Sequence, residues 1–169
     1  ATITMNLQDV NENPIIDDQG FEINENLTNG SIVGSVIATD PDQGQQLTYS
    51  ITSGNAGNTF TINPSTGSLT VANNQLLNFE SNALFNLNVL VQDNGAGALT
   101  DYGLVQIQVN DINEPPVTSN QSYSLPVTAP NGTFVGEVTA TDPDNNQTIT
   151  YSITTGNQYN AFAINSLSG

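Results

Sequence analysis

The sequence predicts an all-β protein made of tandem antiparallel sandwiches, and three observations support this fold class. Apolar residues alternate with polar ones in short runs, turn residues separate these runs, and the chain matches itself at an offset of 102 residues. No segment shows the 3.6-residue period of an amphipathic helix. Asn, Thr, Ser and Gly dominate the composition, which favours strands and turns over helices.

Alternation places one strand near the start of the chain and seven in the 100 residues that follow. The predicted strands span residues 2–7, 21–23, 31–38, 47–51, 60–62, 69–71, 84–91 and 104–109. Gly34 lies inside the third of these and is expected to form a β-bulge. Seven short strands in one unit are typical of an immunoglobulin-like Greek-key sandwich, although a β-barrel or a jelly roll has a similar strand count.

The internal repeat sets the predicted domain organisation. Segment 9–14 (Asp-Val-Asn-Glu-Asn-Pro) returns as 111–116 (Asp-Ile-Asn-Glu-Pro-Pro), and 38–42, with its Asp-Pro-Asp, returns as 140–144. The register holds without a gap. Residues 1–13 are therefore expected to be the last strand of a preceding repeat plus a linker, 14–115 a complete repeat, and 116–169 the first half of a second repeat.

The charge balance excludes several classes of function. The chain has 16 acidic residues and no Lys, Arg, His or Cys. Phosphate neutralisation on nucleic acids and docking onto anionic membranes both need basic residues, and catalysis by His, Lys or Cys is excluded. No apolar run is long enough for membrane insertion. The counter-charge must come from outside the chain, and metal cations are the obvious source.

Eleven of the acids lie in short repeated motifs. Asp-x-Asn-Glu offers two carboxylates, an amide oxygen and backbone carbonyls within four residues, and Asp-Pro-Asp offers two carboxylates around a rigid Pro. Calcium takes 6–8 such oxygens, whereas magnesium retains more water and zinc or copper prefers His or Cys. Two carboxylates about 4 Å apart repel by roughly 4 kcal/mol at an effective dielectric constant of 20, so a cation would be needed to hold several together.

These motifs resemble tandem cadherin-type repeats, an extracellular calcium-binding family. The family's linker Asp-x-Asn-Asp-Asn-Pro is similar to segment 9–14, and its Ala-x-Asp-x-Asp to segment 38–42. Its Glu-Asn, Tyr-Ser-Ile, Phe-x-Ile-x-x-x-x-Gly, Leu-Asp-x-Glu and Asp-x-Gly motifs are similar to segments 25–26, 49–51, 60–67, 77–80 and 93–95. The resemblance covers the whole chain in the right order.

The resemblance implies two junctions whose metal ligands come from adjoining repeats. The first junction would use Asp9, Asn11, Glu12, Asn13, Asp40, Asp42 and Asp93. The second would use Glu25, Glu80, Asp111, Asn113, Glu114, Asp142 and Asp144. Six carboxylates at the second junction would be neutralised by three calcium ions, and the family binds up to three.

Several positions depart from the family pattern. Glu12 and Glu114 replace Asp, Pro115 replaces the second Asn of the linker, and Asn78 replaces the Asp beside Glu80. Val127 stands at the position that matches Glu25 in the second repeat. Fewer than three cations at a junction would fit these changes.

We therefore expect a non-enzymatic, calcium-stiffened extracellular or cell-surface module of an adhesin or surface fibre, in contact with neighbouring repeats or other copies. One alternative is a carbohydrate- or ligand-binding accessory module, which an exposed aromatic cluster would favour. Glu12 and Asp40 could be mistaken for a glycosidase pair, but pocket-forming aromatics do not surround them in the sequence. The chain is expected to be a piece of a longer repeat protein, and the alternative is end-to-end assembly of copies by strand addition. Glycosylation of the sequons that begin at Asn26, Asn29, Asn120, Asn131 and Asn146 is a further expectation.

Overall fold

The computed structural model describes all 169 residues, which divide into two compact units, Ala1–Ile112 and Asn113–Gly169. The first unit contains seven strands. They are β1 (Gln19–Asn24), β2 (Ile32–Ser35), β3 (Thr48–Ser53), β4 (Phe60–Ile62), β5 (Ser68–Val71), β6 (Leu84–Gln92) and β7 (Thr100–Asn110). The predicted number of strands in this part of the chain is confirmed.

The seven strands form two sheets of a sandwich. One sheet has the order β1-β7-β6-β3 and the other the order β2-β5-β4. All neighbours are antiparallel except β1 and β7, which run parallel. The all-β sandwich predicted from alternation is confirmed, whereas the parallel pairing of the first strand with the last has no local signal in the sequence.

The core lies between the two sheets. Alternate residues of β6 and β7 point into it, and the buried set is Ile16, Ile23, Val36, Tyr49, Phe60, Leu69, Val71, Leu77, Phe85, Leu87, Val89, Val91, Val105, Ile107 and Val109. Phe60 of β4 meets Phe85 of β6 edge to face, with ring centroids 5.0 Å apart. Such a pair adds about 0.5–1.5 kcal/mol beyond the burial of its area and ties one sheet to the other.

A β-bulge occurs at the predicted glycine. The pairing of β2 with β5 shifts register between Ile32 and Gly34. A Cβ atom at Gly34 would lie 2.3 Å from the Phe21 ring, so a side chain here would displace that ring. The prediction of a bulge at Gly34 is therefore confirmed, and close packing is the physical reason for the glycine.

Residues 2–7 do not pair with any other segment of this chain, and every side chain there is exposed. A strand needs a neighbour to pair with its backbone groups. The assignment of this segment to the last strand of a preceding repeat stays a prediction.

The second unit contains little regular structure. β8 (Val117–Thr118) pairs with β9 (Ala140–Thr141), and a 3-10 turn covers Gln158–Asn160. Two further 3-10 turns lie in the first unit, at Ala56–Asn58 and Asn74–Leu76. The structure contains no helix that could cross a membrane. The repeat boundaries predicted at 13/14 and 115/116 stay predictions.

The register of β6 and β7 defines two opposite ends of the first sandwich. Gln92 pairs with Thr100 at one end, which we call the first pole, and Leu84 pairs with Gln108 at the other, which we call the second pole. Nine residues of antiparallel strand separate the poles by about 30 Å. Acidic segments lie at both.

The core assignment predicts unequal costs for two leucines of the same strand. Leu87→Ala should lower the free energy of unfolding by about 2–5 kcal/mol, because Leu87 is fully buried and its removal leaves a cavity. Leu84→Ala should cost less than about 1 kcal/mol, because Leu84 is 42% exposed. Urea unfolding of both variants tests this, and equal losses would contradict the assigned orientation of β6.

Candidate metal sites

The linker of the first unit is held against the first pole by backbone pairing. Ile15 and Thr39 exchange two backbone hydrogen bonds of 2.8 and 3.0 Å. The Asn13 amide donates to the backbone oxygen of Thr100 at 3.1 Å. Because Asp40 follows Thr39, this pairing places the acidic residues of the linker next to the Asp-Pro-Asp segment.

The linker and the Asp-Pro-Asp segment share hydrogen bonds. The backbone N–H of Asp42 donates to Asp40 Oδ1 at 2.8 Å, and that of Glu12 donates to Asp42 Oδ2 at 2.9 Å. Carboxylate oxygens of Asp9, Glu12 and Asp42 lie within 4.8 Å of one another. Asp40 Oδ2 is buried without a hydrogen-bond partner. A buried, unpartnered carboxylate oxygen beside three further carboxylates fits a cation, because burial of an unpaired charge is costly.

Asp93 organises the loop between β6 and β7. It is 4% exposed, and its Oδ1 accepts the backbone N–H groups of Gly95 and Leu99, each at 3.0 Å. Its Oδ2 accepts the Asn11 amide at 2.8 Å. A Cβ atom at Gly95 would lie 1.8 Å from Asn11 Oδ1, which explains the glycine. Asp93 therefore fixes the orientation of the Asn11 amide.

The crowding of carboxylates raises the pKa of Glu12 above its ordinary value of 4.5. The largest cause is a side-chain hydrogen bond with Asp42, followed by the negative charge of Asp42. Partial desolvation and the charges of Asp9 and Asp40 act in the same direction. The charged form of Glu12 is thus disfavoured in the absence of a cation.

The second pole gathers three further acids of the first unit. The parallel pairing of β1 with β7 ends at Asn24 and Asn110, so the next residues, Glu25 and Asp111, come side by side. Glu25 is 5% exposed and accepts the backbone N–H groups of Phe79 at 2.8 Å and Ile112 at 2.7 Å. Carboxylate oxygens of Glu25, Glu80 and Asp111 lie within 4.8 Å of one another.

Asn78 makes hydrogen bonds within the turn that contains Glu80. The Asn78 amide donates to Glu80 Oε2 at 3.1 Å, and Asn78 Oδ1 accepts the backbone N–H of Ser81 at 2.9 Å. The residue that replaces the family's Asp therefore acts as a hydrogen-bond donor to the neighbouring carboxylate, which Asp could not do in its charged form.

The second unit repeats the geometry of the first pole. The backbone N–H of Glu114 donates to Asp144 Oδ2 at 2.9 Å, and that of Asp144 donates to Asp142 Oδ1 at 3.1 Å. Asp144 is 6% exposed, and its Oδ1 is buried without a hydrogen-bond partner. Asn113 lies in the same segment and accepts a hydrogen bond from Gln147.

Sequence reasoning did not single out several polar side chains at these sites. Gln45 and Gln147 contact the linker asparagines, and the signal that could have found them is their 102-residue spacing. Asp18 accepts the backbone N–H of Leu104 at 2.8 Å and Asp101 that of Ile16 at 3.1 Å. These two acids cap backbone groups, a role that no motif in the sequence indicates.

The fold and these clusters define an all-β sandwich protein with carboxylates gathered at its linker segments. This chain belongs to the cadherin-domain family, because the family model described as "Cadherin domain" matches residues 19–110 and 121–169. The resemblance seen in the sequence is confirmed. Cadherin domains bind calcium as a family and serve adhesion, not catalysis.

Human cadherin-23 is 35% identical over 180 residues, and human protocadherin Fat 4 is 35% identical over 177 residues. Both alignments take in 100% of this chain, but the chain spans only 5% and 4% of those proteins. The crystal structure of human CDH23 EC21-23 matches with a TM-score of 0.71 and 29% identity, covering 97% of this chain and 56% of that one. These homologues are extracellular repeats of surface proteins.

The raised pKa of Glu12 predicts a pH-dependent effect in the presence of a chelator. The folded protein favours protonated Glu12, so the contribution of this group to stability should be fully present below its ordinary pKa of 4.5. It should be lost as the pH rises through the raised pKa. At pH 7, Glu12→Gln should therefore raise the melting temperature, and the gain should vanish near pH 4. Glu22→Gln is the control, since Glu22 is exposed on β1. A gain that is independent of pH would contradict the assignment.

Proposed function

We propose that this chain is a calcium-stiffened, non-catalytic extracellular module of a surface adhesion protein or fibre. The observation that carries the proposal is the buried, unpartnered Asp40 Oδ2 beside the clustered carboxylates of Asp9, Glu12 and Asp42. The chain has no basic side chain that could neutralise them. A divalent cation would supply the missing charge.

The oxygen donors favour calcium over other divalent ions. Carboxylates, side-chain amides and backbone carbonyls lie in the same segments, and calcium takes 6–8 such oxygens in a flexible geometry. We assign the ligands of the first site to Asp9, Asn11, Glu12, Asn13, Asp40, Asp42 and Asp93. We assign those of the second junction to Glu25, Glu80, Asp111, Asn113, Glu114, Asp142 and Asp144.

Stiffening follows from where the ligands lie along the chain. At the first pole the proposed ligands come from three segments, namely the linker, the Asp-Pro-Asp segment and the β6–β7 loop. Their carboxylates repel one another without a cation, and one ion bound to all three segments would remove that repulsion and restrict their movement. A linker held in this way keeps successive modules at a fixed spacing, which suits adhesion or fibre structure.

Neighbouring repeats and other copies of the protein are the proposed macromolecular partners. End-to-end assembly by strand addition remains a second proposal. Phe162 in the second unit is 51% exposed, whereas its repeat counterpart Phe60 is 2% exposed. Strands from another segment or another copy would cover it. A mass near 17.8 kDa for the intact polypeptide would support assembly between copies, and a far larger mass would reject it. No observation favours carbohydrate binding.

Calcium should stabilise the protein reversibly. At a concentration about 100 times its dissociation constant, calcium should add about 2.7 kcal/mol, which corresponds to roughly 10 °C or more in melting temperature for a domain of this size. A chelator should reverse the gain, and magnesium at the same concentration should give a smaller one.

The variant Asp40→Asn should lose much of this calcium-dependent gain, because it removes a charge from the proposed site. Asp17→Asn is the matched control, since Asp17 is an exposed acid outside the clusters. Thermal melts with calcium and with chelator measure both variants. A wild-type protein with the same melting temperature in both conditions would refute calcium binding at these segments.

A further inference from the structure

Two glutamines occupy the same position in the two repeats and make the same contacts. In the first unit the Gln45 amide nitrogen donates to Asn11 Oδ1 and, at 3.2 Å, to Asp42 Oδ2. In the second unit the Gln147 amide nitrogen donates to Asn113 Oδ1 at 2.6 Å and to Asp144 Oδ2 at 2.9 Å. Two copies with one geometry indicate a built contact.

The orientation of the Asn11 amide is set by its other partner. Its nitrogen donates to Asp93 Oδ2, so its oxygen must face Gln45. Asp42 Oδ2 also accepts the backbone N–H of Glu12. Gln45 therefore meets two acceptor oxygens, and only the nitrogen end of its own amide can face them without repulsion. Gln45 Oε1 is buried without a hydrogen-bond partner, so the nitrogen alone makes the hydrogen bonds of this amide.

A glutamine amide can donate two hydrogen bonds to neighbouring oxygens. The chain has no Lys, Arg or His for that purpose. The oxygens that the two glutamines hold, on Asn11, Asp42, Asn113 and Asp144, are all among the proposed metal ligands. The amide nitrogen and a cation cannot both lie between the same two oxygens.

We propose that Gln45 and Gln147 are latch residues, whose amide nitrogens hold the linker asparagine to the second Asp of Asp-Pro-Asp when no cation is bound and give way when one binds. The displacement of the glutamines by a cation rests on the proposed function, whereas their hydrogen bonds in the cation-free protein do not. Those hydrogen bonds can be tested by themselves.

The latch has a definite thermodynamic consequence. An interaction that exists only in the cation-free state stabilises that state and therefore weakens cation binding by the same factor. The two glutamines would then raise the calcium concentration at which the linkers stiffen. Loss of a latch should destabilise the cation-free protein and tighten calcium binding.

The test uses Gln45→Met in the full chain, with Gln147→Met as its counterpart in the second unit. Methionine keeps a similar length without the donor. Gln43→Met is the control, because Gln43 is exposed in the same loop. The measurements are the melting temperature in chelator and in saturating calcium, calcium titration by calorimetry, and hydrogen exchange at the backbone amides of Glu12 and Glu114.

In chelator, Gln45→Met should lower the melting temperature by a few degrees and speed exchange at Glu12, whereas Gln147→Met should speed exchange at Glu114. In saturating calcium both variants should match the wild type. Calcium should bind them roughly 3- to 10-fold more tightly, the factor expected for loss of one competing hydrogen-bonded contact. The control should show none of these changes.

Three results would overturn the latch. Unchanged amide exchange rates and an unchanged melting temperature in chelator would show that the glutamine contact does not stabilise the linker. Weaker calcium binding would identify the glutamine as a ligand, and equal losses in both conditions would identify ordinary packing. If calcium does not bind or stabilise the wild-type protein, the proposed function and the displacement step are refuted. A lower melting temperature of the variants in chelator would still support the contact in the cation-free protein.

Discussion

Uncompensated negative charge is the constraint on which the linker segments of this protein depend. Sixteen acids face no basic side chain anywhere in the chain, yet the fold brings many of them together at the poles of a sandwich. Backbone N–H groups offset part of the cost, as at Glu25, which accepts two of them, and at Asp93, which accepts two more and the Asn11 amide. The oxygens that remain define where an external cation would be stabilised.

The same geometry arises twice because local segments build it. In both units a backbone N–H of the linker glutamate donates to the second Asp of Asp-Pro-Asp, and the bridge between Ile15 and Thr39 has its counterpart in the pairing of Val117 with Thr141. The first unit has two sheets around a buried core and the second has one short strand pair, and both show this hydrogen-bond pattern. Turn chemistry and a few backbone hydrogen bonds build it in each unit.

Sequence reasoning succeeded where the signal is local and failed where it depends on a distant partner. Alternation located β3, β4 and β6 because half-buried strands must alternate, and a glycine inside a predicted strand marked the bulge at Gly34. Residues 2–7 alternate as well, but no other segment of this chain pairs with them, so their place in a sheet stays a prediction. The acids of each cluster could be named from motifs, whereas the capping roles of Asp18 and Asp101 depend on the loop positions that the folded unit sets.

The sequence by itself determined the repeat, the all-β class, the family and the segments that carry the acidic clusters, because each follows from periodicity, composition or a short motif. Only the tertiary structure decided that β1 lies parallel to β7 and so places Glu25 beside Asp111. It also decided that Gln45 and Gln147 reach the linker asparagines. Both facts depend on segments that are far apart in the chain meeting in the folded protein, and no local pattern encodes such a meeting.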